Sequence, residues 1–329
     1  MQTYKRGVIN LTNLPDVQST RPDVAINLNR VGVTNVKKLV EIARKGKRPI
    51  VLISIFDMFV DLPYNIKGAN LSRNFEAMNE VLEDAIKSPA YIIEDLCDEI
   101  AKRLLERHEY ATKSEVRMRS EYVLKKKTKI TKHPCQEVID IFADSKLERG
   151  KKTKKTIGAE VVGMTACPCA QDMMQDMAID ELKKIGVEEE KIEKFVNNFP
   201  MATHNQRGRG IISIEVPEEY YVSLDDIIAI IEESVSSPIF EFLKRADEKD
   251  LVYTAHKNPK FVEDCVRDMA KKIVEKFGYL PDETIVTIKQ INEESIHRHN
   301  AFAERVATLS DLRKEINNNS NEKMITTCK

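Results

Sequence analysis

The second half of the chain repeats the ingredients of the first. In the first half, PIVLISIFDMFVDLP is apolar and β-branched and reads as a strand. YIIEDLCDEIAKRLLERH reads as a helix, with Ile93, Leu96, Cys97, Ile100, Leu104 and Leu105 on one face. In the second half, GIISIEVP and ETIVTIKQI read as strands. FVEDCVRDMAKKIVEKFG is the clearest amphipathic helix, with Val262, Cys265, Val266, Met269 and Ile273 as its buried stripe. There is no short sequence repeat. Two halves of similar size and mix permit a duplicated α+β unit. At 329 residues the chain is long enough for two ordinary domains or one large one. The basic link ERGKKTKKT divides it into residues 1–150 and 151–329.

The remaining segments fill in this outline. Residues 1–22 read as a polar arm, VAINLNRVGV as a strand, and VTNVKKLVEIARKG as a short helix closed by Gly46. SRNFEAMNEVLEDAIKS reads as a helix, and paired strands are expected after Lys113. SLDDIIAIIEES and PIFEFLKRADEKD read as helices, and the tail NNNSNEKMITTCK as frayed. Residues 171–200 read as a helical hairpin broken at Gly186, inserted on a strand-to-strand connection.

Bulk properties narrow the function class. Charged residues make up 32% of the chain but nearly cancel, to a net charge of -1, so no global field favours nucleic acid or an anionic membrane. The most apolar run, Ile50 to Val60, is too short to span a bilayer and contains Asp57. A soluble cytoplasmic protein is expected. The six cysteines are scattered, with no disulfide framework. Cys97, Cys135 and Cys265 read as small buried hydrophobes. His108 ends a helix, where a cation suits the dipole, His133 lies in a loop, and His256 reads as a surface residue.

Cys167 and Cys169 are different. In GMTACPCAQ they flank Pro168, one residue apart, which is too tight for a common zinc knuckle or a dithiol redox motif. Pro168 fixes φ and stiffens the pair. Downstream lie THNQR, LKRADE, FVED and ESIHRH. Together these clusters supply thiols, imidazoles and carboxylates, the ordinary ligands of a catalytic zinc or ferrous ion. Glu263 lies on the flank of its helix's buried stripe, where a carboxylate ordinarily just reaches solvent.

In this order, GMTACPCAQ, THNQRGRG, LKRADEK, NPKFVEDCVRDMA and ESIHRHNAFAE resemble GTP cyclohydrolase of type IB, and VDLPYNIKGANLSRNFE is similar to that family's N-terminal stretch. The likeness runs from about residue 20 to 310. Cys167 and His204 are 37 positions apart, and the insert between them resembles the archaeal, methanopterin-making branch. The resemblance implies a tunnelling fold (T-fold): two tandem units, each an antiparallel sheet with helices on one face. It implies a homodimer or homotetramer with interfacial active sites. It implies Fe(II), with Zn(II) or Mn(II) possible in its place, on Cys167, His204 and Glu248. Glu263 would anchor guanine, and Glu294 and His297 match family active-site positions. His297, with Cys169, would move protons. Arg207, Lys244 and Arg245 are candidates for the triphosphate, which needs fixed positive charge. The implied reaction is hydrolysis of the guanine imidazole ring of GTP, with loss of formate and closure to a 7,8-dihydroneopterin phosphate, the 2′,3′-cyclic phosphate in this branch. Two alternatives stand beside it: a tunnelling-fold enzyme with a covalent cysteine nucleophile, and a non-catalytic metal-stabilised assembly subunit.

Overall fold

A computed structural model describes residues 17–44, 47–87, 92–217 and 219–327. Two long strands, β1 (Leu28–Arg44) and β2 (Lys47–Leu62), precede helices α1 (Ser72–Lys87) and α2 (Ile93–Arg107). Strands β3 (Lys113–Lys127), β4 (Pro134–Glu148) and β5 (Lys154–Ala166) follow. A helical hairpin, α3 (Pro168–Lys184) and α4 (Glu189–Asn198), leads into β6 (Asn205–Val216). Then come α5 (Leu224–Ser234), the two-residue β7 (Ser237–Pro238), α6 (Arg245–Lys257) and α7 (Val262–Lys276). Strands β8 (Ile285–Asn292) and β9 (Ala301–Thr308) and helix α8 (Leu309–Thr327) complete the chain.

All pairings are antiparallel, in one sheet ordered β1-β2-β3-β4-β5-β6-β8-β9, with β7 on β5. The strands alternate as a half-buried sheet must. Val116 and Met118 of β3, Ile139 and Ile141 of β4, Ile157 and Ala159 of β5, Ile212 and Ile214 of β6 and Ile288 of β8 all point into one core. Helix α2 packs on β3 and β4, and α7 on β8 and β9. The stripes read from sequence on α2 and α7 are buried. Each buried aliphatic side chain stabilises the fold by roughly 2 kcal/mol.

Three readings need correction. VTNVKKLVEIAR is strand, not helix. Val36, Lys38, Val40 and Ile42 turn inward while Lys37, Leu39 and Glu41 stay exposed, a period of two. Adjacent Leu39 and Val40 imitate a helical stripe, but the partner strand β2 settles the outcome. A register shift between Val33 and Val36, with Asn35 at φ 58°, re-aims the strand midway. Gly46, the expected helix stop, lies outside the described residues. In PIFEFLKRADEKD only the part from Arg245 is helical. The tail is helical as far as Thr327 rather than frayed. The hairpin turns at Gly186, whose φ of 80° suits glycine.

Candidate active site

The ladder between β5 and β6 builds the site. Thr165 lies opposite Gln206 and Gly163 opposite Gly208. Past the last paired residue the register continues, because the Cys167 amide donates to the His204 carbonyl at 3.1 Å. Cys167 and His204 therefore face each other, with Cβ atoms about 5 Å apart. The two-residue period places them on the same face as Thr165 and Gln206. On the far side, β8 sets Asn292 opposite Gly208. The Glu293 amide donates to the Arg207 carbonyl at 2.9 Å, which brings Glu294 opposite Gln206.

Proline explains the CPC spacing. Cys167 is the extended residue that caps α3, and Pro168 opens the first turn, where its missing N–H costs nothing. The Thr203 hydroxyl holds the Cys167 carbonyl at 2.8 Å. Cys167 stays half-buried at the ladder, whereas Cys169 is carried onto the exposed side of α3.

A buried polar row supports His204. Its Nδ1 lies 3.0 Å from Gln206 Oε1. Gln206 Nε2 donates to Thr165 Oγ1 at 3.2 Å and to Glu294 Oε1 at 3.3 Å. Glu294 Oε2 is 3.9 Å from His204 Nδ1. Thr165 and Gln206 are buried. In the next row, Gln290 Nε2 donates to Asn292 Oδ1 at 2.9 Å. Glycine at 208 leaves room for this pair: a Cβ would meet Gln290 Nε2 at 2.4 Å and Asn292 Oδ1 at 2.6 Å, so both side chains would have to shift. Sequence reasoning missed Thr165 and Gln206 as site residues. The available signal was Gln206 two positions beyond His204 on a strand.

The donor chemistry of Cys167 and His204 fits a zinc or ferrous ion, since Gln206 engages Nδ1 and no contact to Nε2 occurs among the described residues. Glu248 is not brought to them. It is exposed on the first turn of α6, and the opposite end of that helix approaches the site, with His256 Nε2 3.4 Å from the Thr203 carbonyl. The intervening helix spans about 12 Å. Among the described residues, no three His, Cys, Asp or Glu stand together in an arrangement for a metal.

The other candidates are dispersed around this ladder. Lys244 caps α6 and Arg245 begins it, and both are exposed, as is Arg207. Their neighbour Asp247 is buried, and accepts from the Ile130 and Thr131 amides at 2.9 Å each and from the Thr131 hydroxyl. Burial pushes its carboxyl up, but hydrogen bonds led by Thr131 outweigh that and hold it well below its ordinary value. Glu263 is exposed on the first turn of α7. His297 lies in the exposed link between β8 and β9 and stacks on His299, with centroids 5.0 Å apart.

Two histidine readings change. His256 is buried, with Nδ1 2.7 Å from the Val252 carbonyl. His108 is a core residue between Asn74 Oδ1 and the Tyr110 hydroxyl. Burial, and then the Arg73 charge, lowers its pKa to about 4, so it is neutral and not a dipole-capping cation. Cys97, Cys135 and Cys265 are buried, as read.

The profile of the type I GTP cyclohydrolase folE2 family matches residues 14–303. A GTP cyclohydrolase MptA of Methanococcoides burtonii is 66% identical over 94% of this chain and 99% of its own length. One from Methanosarcina mazei is 63% identical over 92% of this chain and 98% of its own. Among solved structures, uricase from Arthrobacter globiformis covers 85% of this chain and 93% of its own, at 9% identity and a TM-score of 0.47. A family match across most of the chain, close relatives aligned nearly end to end, and a Cys–His rung at the strand ends make one conclusion: the chain belongs to the type I GTP cyclohydrolase folE2 family, in its archaeal MptA branch, and is a GTP cyclohydrolase.

Proposed function

We propose that the chain hydrolyses the guanine imidazole ring of GTP, releases formate, and closes the product to 7,8-dihydroneopterin 2′,3′-cyclic phosphate as the first step of tetrahydromethanopterin synthesis. The reaction depends on a metal held by Cys167 and His204; Glu248 is the third ligand that the family resemblance implies, and α6, which holds it away from that rung here, would have to bring it closer. Fe(II) is the proposed ion, and Zn(II) or Mn(II) can take its place. Such an ion supplies Lewis acidity toward water near neutral pH. The single observation that carries this reading is the Cys167–His204 rung, with the His204 ring held by Gln206.

Each side chain then has a task. Glu263 accepts the two parallel N–H donors of guanine, at N1 and the 2-amino group, in a fork that adenine cannot satisfy. Arg207, Lys244 and Arg245 carry the positive charge that holds the triphosphate. Glu294, 3.3 Å from Gln206, orients the polar row. His297, with Cys169, moves protons during ring opening.

The proposed architecture is a tunnelling fold in two tandem units, residues 1–150 and 151–329, each with helices on one face of its sheet. The element order supports it: two strands, helices, then two strands, twice over, with α3–α4 inserted in the second unit. A homodimer or homotetramer with active sites between subunits is part of the reading. The test is anaerobic incubation of the chelator-treated protein with GTP and added Fe(II). Formate and a cyclic dihydroneopterin phosphate, identified by mass spectrometry, are the expected products. GTP recovered intact would overturn the proposal.

A further inference from the structure

We infer that Gln206 is a positioning residue: it reads the charge of Glu294 and fixes the tautomer of His204, presenting an unprotonated Nε2. The inference deepens the metal reading above and rests on it for its purpose, though not for its geometry. A side-chain amide has a donor end and an acceptor end, and only their neighbours decide which way it points. As a carboxylate, Glu294 can only accept. Its Oε1 is 3.3 Å from Gln206 Nε2, so the amide nitrogen must face it. Turned over, the amide would set two oxygens against each other in a site where Gln206 is only 8% exposed. Thr165 Oγ1, at 3.2 Å, accepts the second N–H and removes the remaining freedom.

The consequence passes to the histidine. Gln206 Oε1 is an acceptor 3.0 Å from Nδ1, so Nδ1 carries the proton. A neutral imidazole has one N–H, and Nε2 is then left with a lone pair. The order Glu294–Gln206–His204 follows from the ladder: Glu294, just past β8, lies opposite Gln206, and His204, just before β6, is two residues from Gln206 on the same face. It works as the carboxylate–histidine pairs of metal sites do, with an amide inserted between acid and imidazole. The insertion keeps the Glu294 charge 3.9 Å from Nδ1 while transmitting its orientation.

The test uses the full chain freed of metal with a chelator. Long-range proton–nitrogen correlation reads the tautomer of His204, its signals assigned by their loss in His204→Ala. The parent is expected to show a protonated Nδ1. Gln206→Met, similar in length but without the amide, should lose that preference and bind Zn(II) about tenfold or more weakly. Glu294→Gln, which lets either end of Gln206 face it, should give mixed tautomers and serves if Gln206→Met does not fold. A parent with protonated Nε2, or variants that keep the parent tautomer, would overturn the inference. If His204→Ala binds Zn(II) as tightly as the parent, the metal reading fails instead, and the nitrogen shifts still decide the role of Gln206.

Discussion

Glu94 is 1% exposed, and its Oε2 has no hydrogen-bond partner among the described residues. Burial, reinforced by Asp95 and opposed by Lys155, raises its pKa from 4.5 to about 7. A raised carboxyl pKa means the folded state holds the proton longer than the unfolded chain. The associated stability is complete below pH 4.5 and is lost as pH rises through about 7. Glu94→Gln should therefore be roughly 2–3 kcal/mol more stable than the parent at pH 8 and nearly equal to it at pH 4.5. Urea midpoints of both proteins at the two pH values measure this. At Glu263 the expected effect is on binding instead. Glu263→Gln keeps one acceptor oxygen, so the KM for GTP should rise about 10- to 100-fold with the thermal midpoint unchanged, and an unchanged KM would end the guanine-anchor role. Residue identity made the site chemistry legible, because Cys167 and His204 stand in motifs of distinctive order. It did not reveal which residues would meet. Glu294 touches Gln206 and Glu248 does not touch Cys167, and these outcomes depend on strand register and on which end of α6 lies near the ladder.

At the scale of elements, the tip of the β3–β4 hairpin is clasped to the segment leading into α6. Gln136 donates its amide to Glu241 at 2.9 Å, the His133 ring meets Phe242 at 5.4 Å, and Lys129 pairs with Asp250 at 3.0 Å. Asp247 makes the buried contact of this set. On a helix, successive residues turn by about 100°, so fixing Asp247 toward the hairpin also fixes where Glu248 points. Asp247→Ala should speed amide exchange at Ile130 and Thr131 roughly tenfold, whereas Asp247→Asn, which keeps an acceptor, should restore most of the protection. Because the carboxyl is held below its ordinary value, its contribution persists above the usual titration range and is lost only as pH falls through the depressed value. Exchange rates at those amides, corrected for intrinsic chemistry, should therefore match at pH 7 and pH 5. The sequence places a polar loop and a helix here but gives no sign of their contact, which joins residues 105 or more positions apart. Local patterns fared better where an element buries its own stripe, as α2 and α7 do, and where a glycine marks the turn of a hairpin, as Gly186 does between α3 and α4. They failed for β1, whose state is decided by the strand beside it.

At the scale of the molecule, the outer face of the sheet carries exposed apolar cross-strand pairs among its ion pairs. Val123 and Val138 form a cross-strand pair, 46% and 60% exposed. Leu39 and Ile53 form another, 65% and 71% exposed. Among the described residues, strands β1 and β9 are the edges of the sheet, the places where further pairing can occur. Exposed apolar pairs on a sheet face suit a contact surface, and another copy of the chain is the occupant that fits the proposed homo-oligomer. Continuity of the sheet across residues 148–154 could not be read from the sequence, because the basic link there looks like a boundary between domains. Pairing of β4 with β5 joins the two halves in one sheet, so β4 lies in the middle of the face offered to the proposed assembly. Val138→Asp puts a carboxylate in the centre of that surface without touching the core residue Ile139 beside it. Sedimentation velocity should then show a smaller species than the parent at equal concentration, with the same helix content by circular dichroism. Because the proposed active sites lie between subunits, GTP turnover should fall with dissociation and recover as protein concentration is raised. A variant that keeps the parent's sedimentation coefficient would remove this face from the assembly.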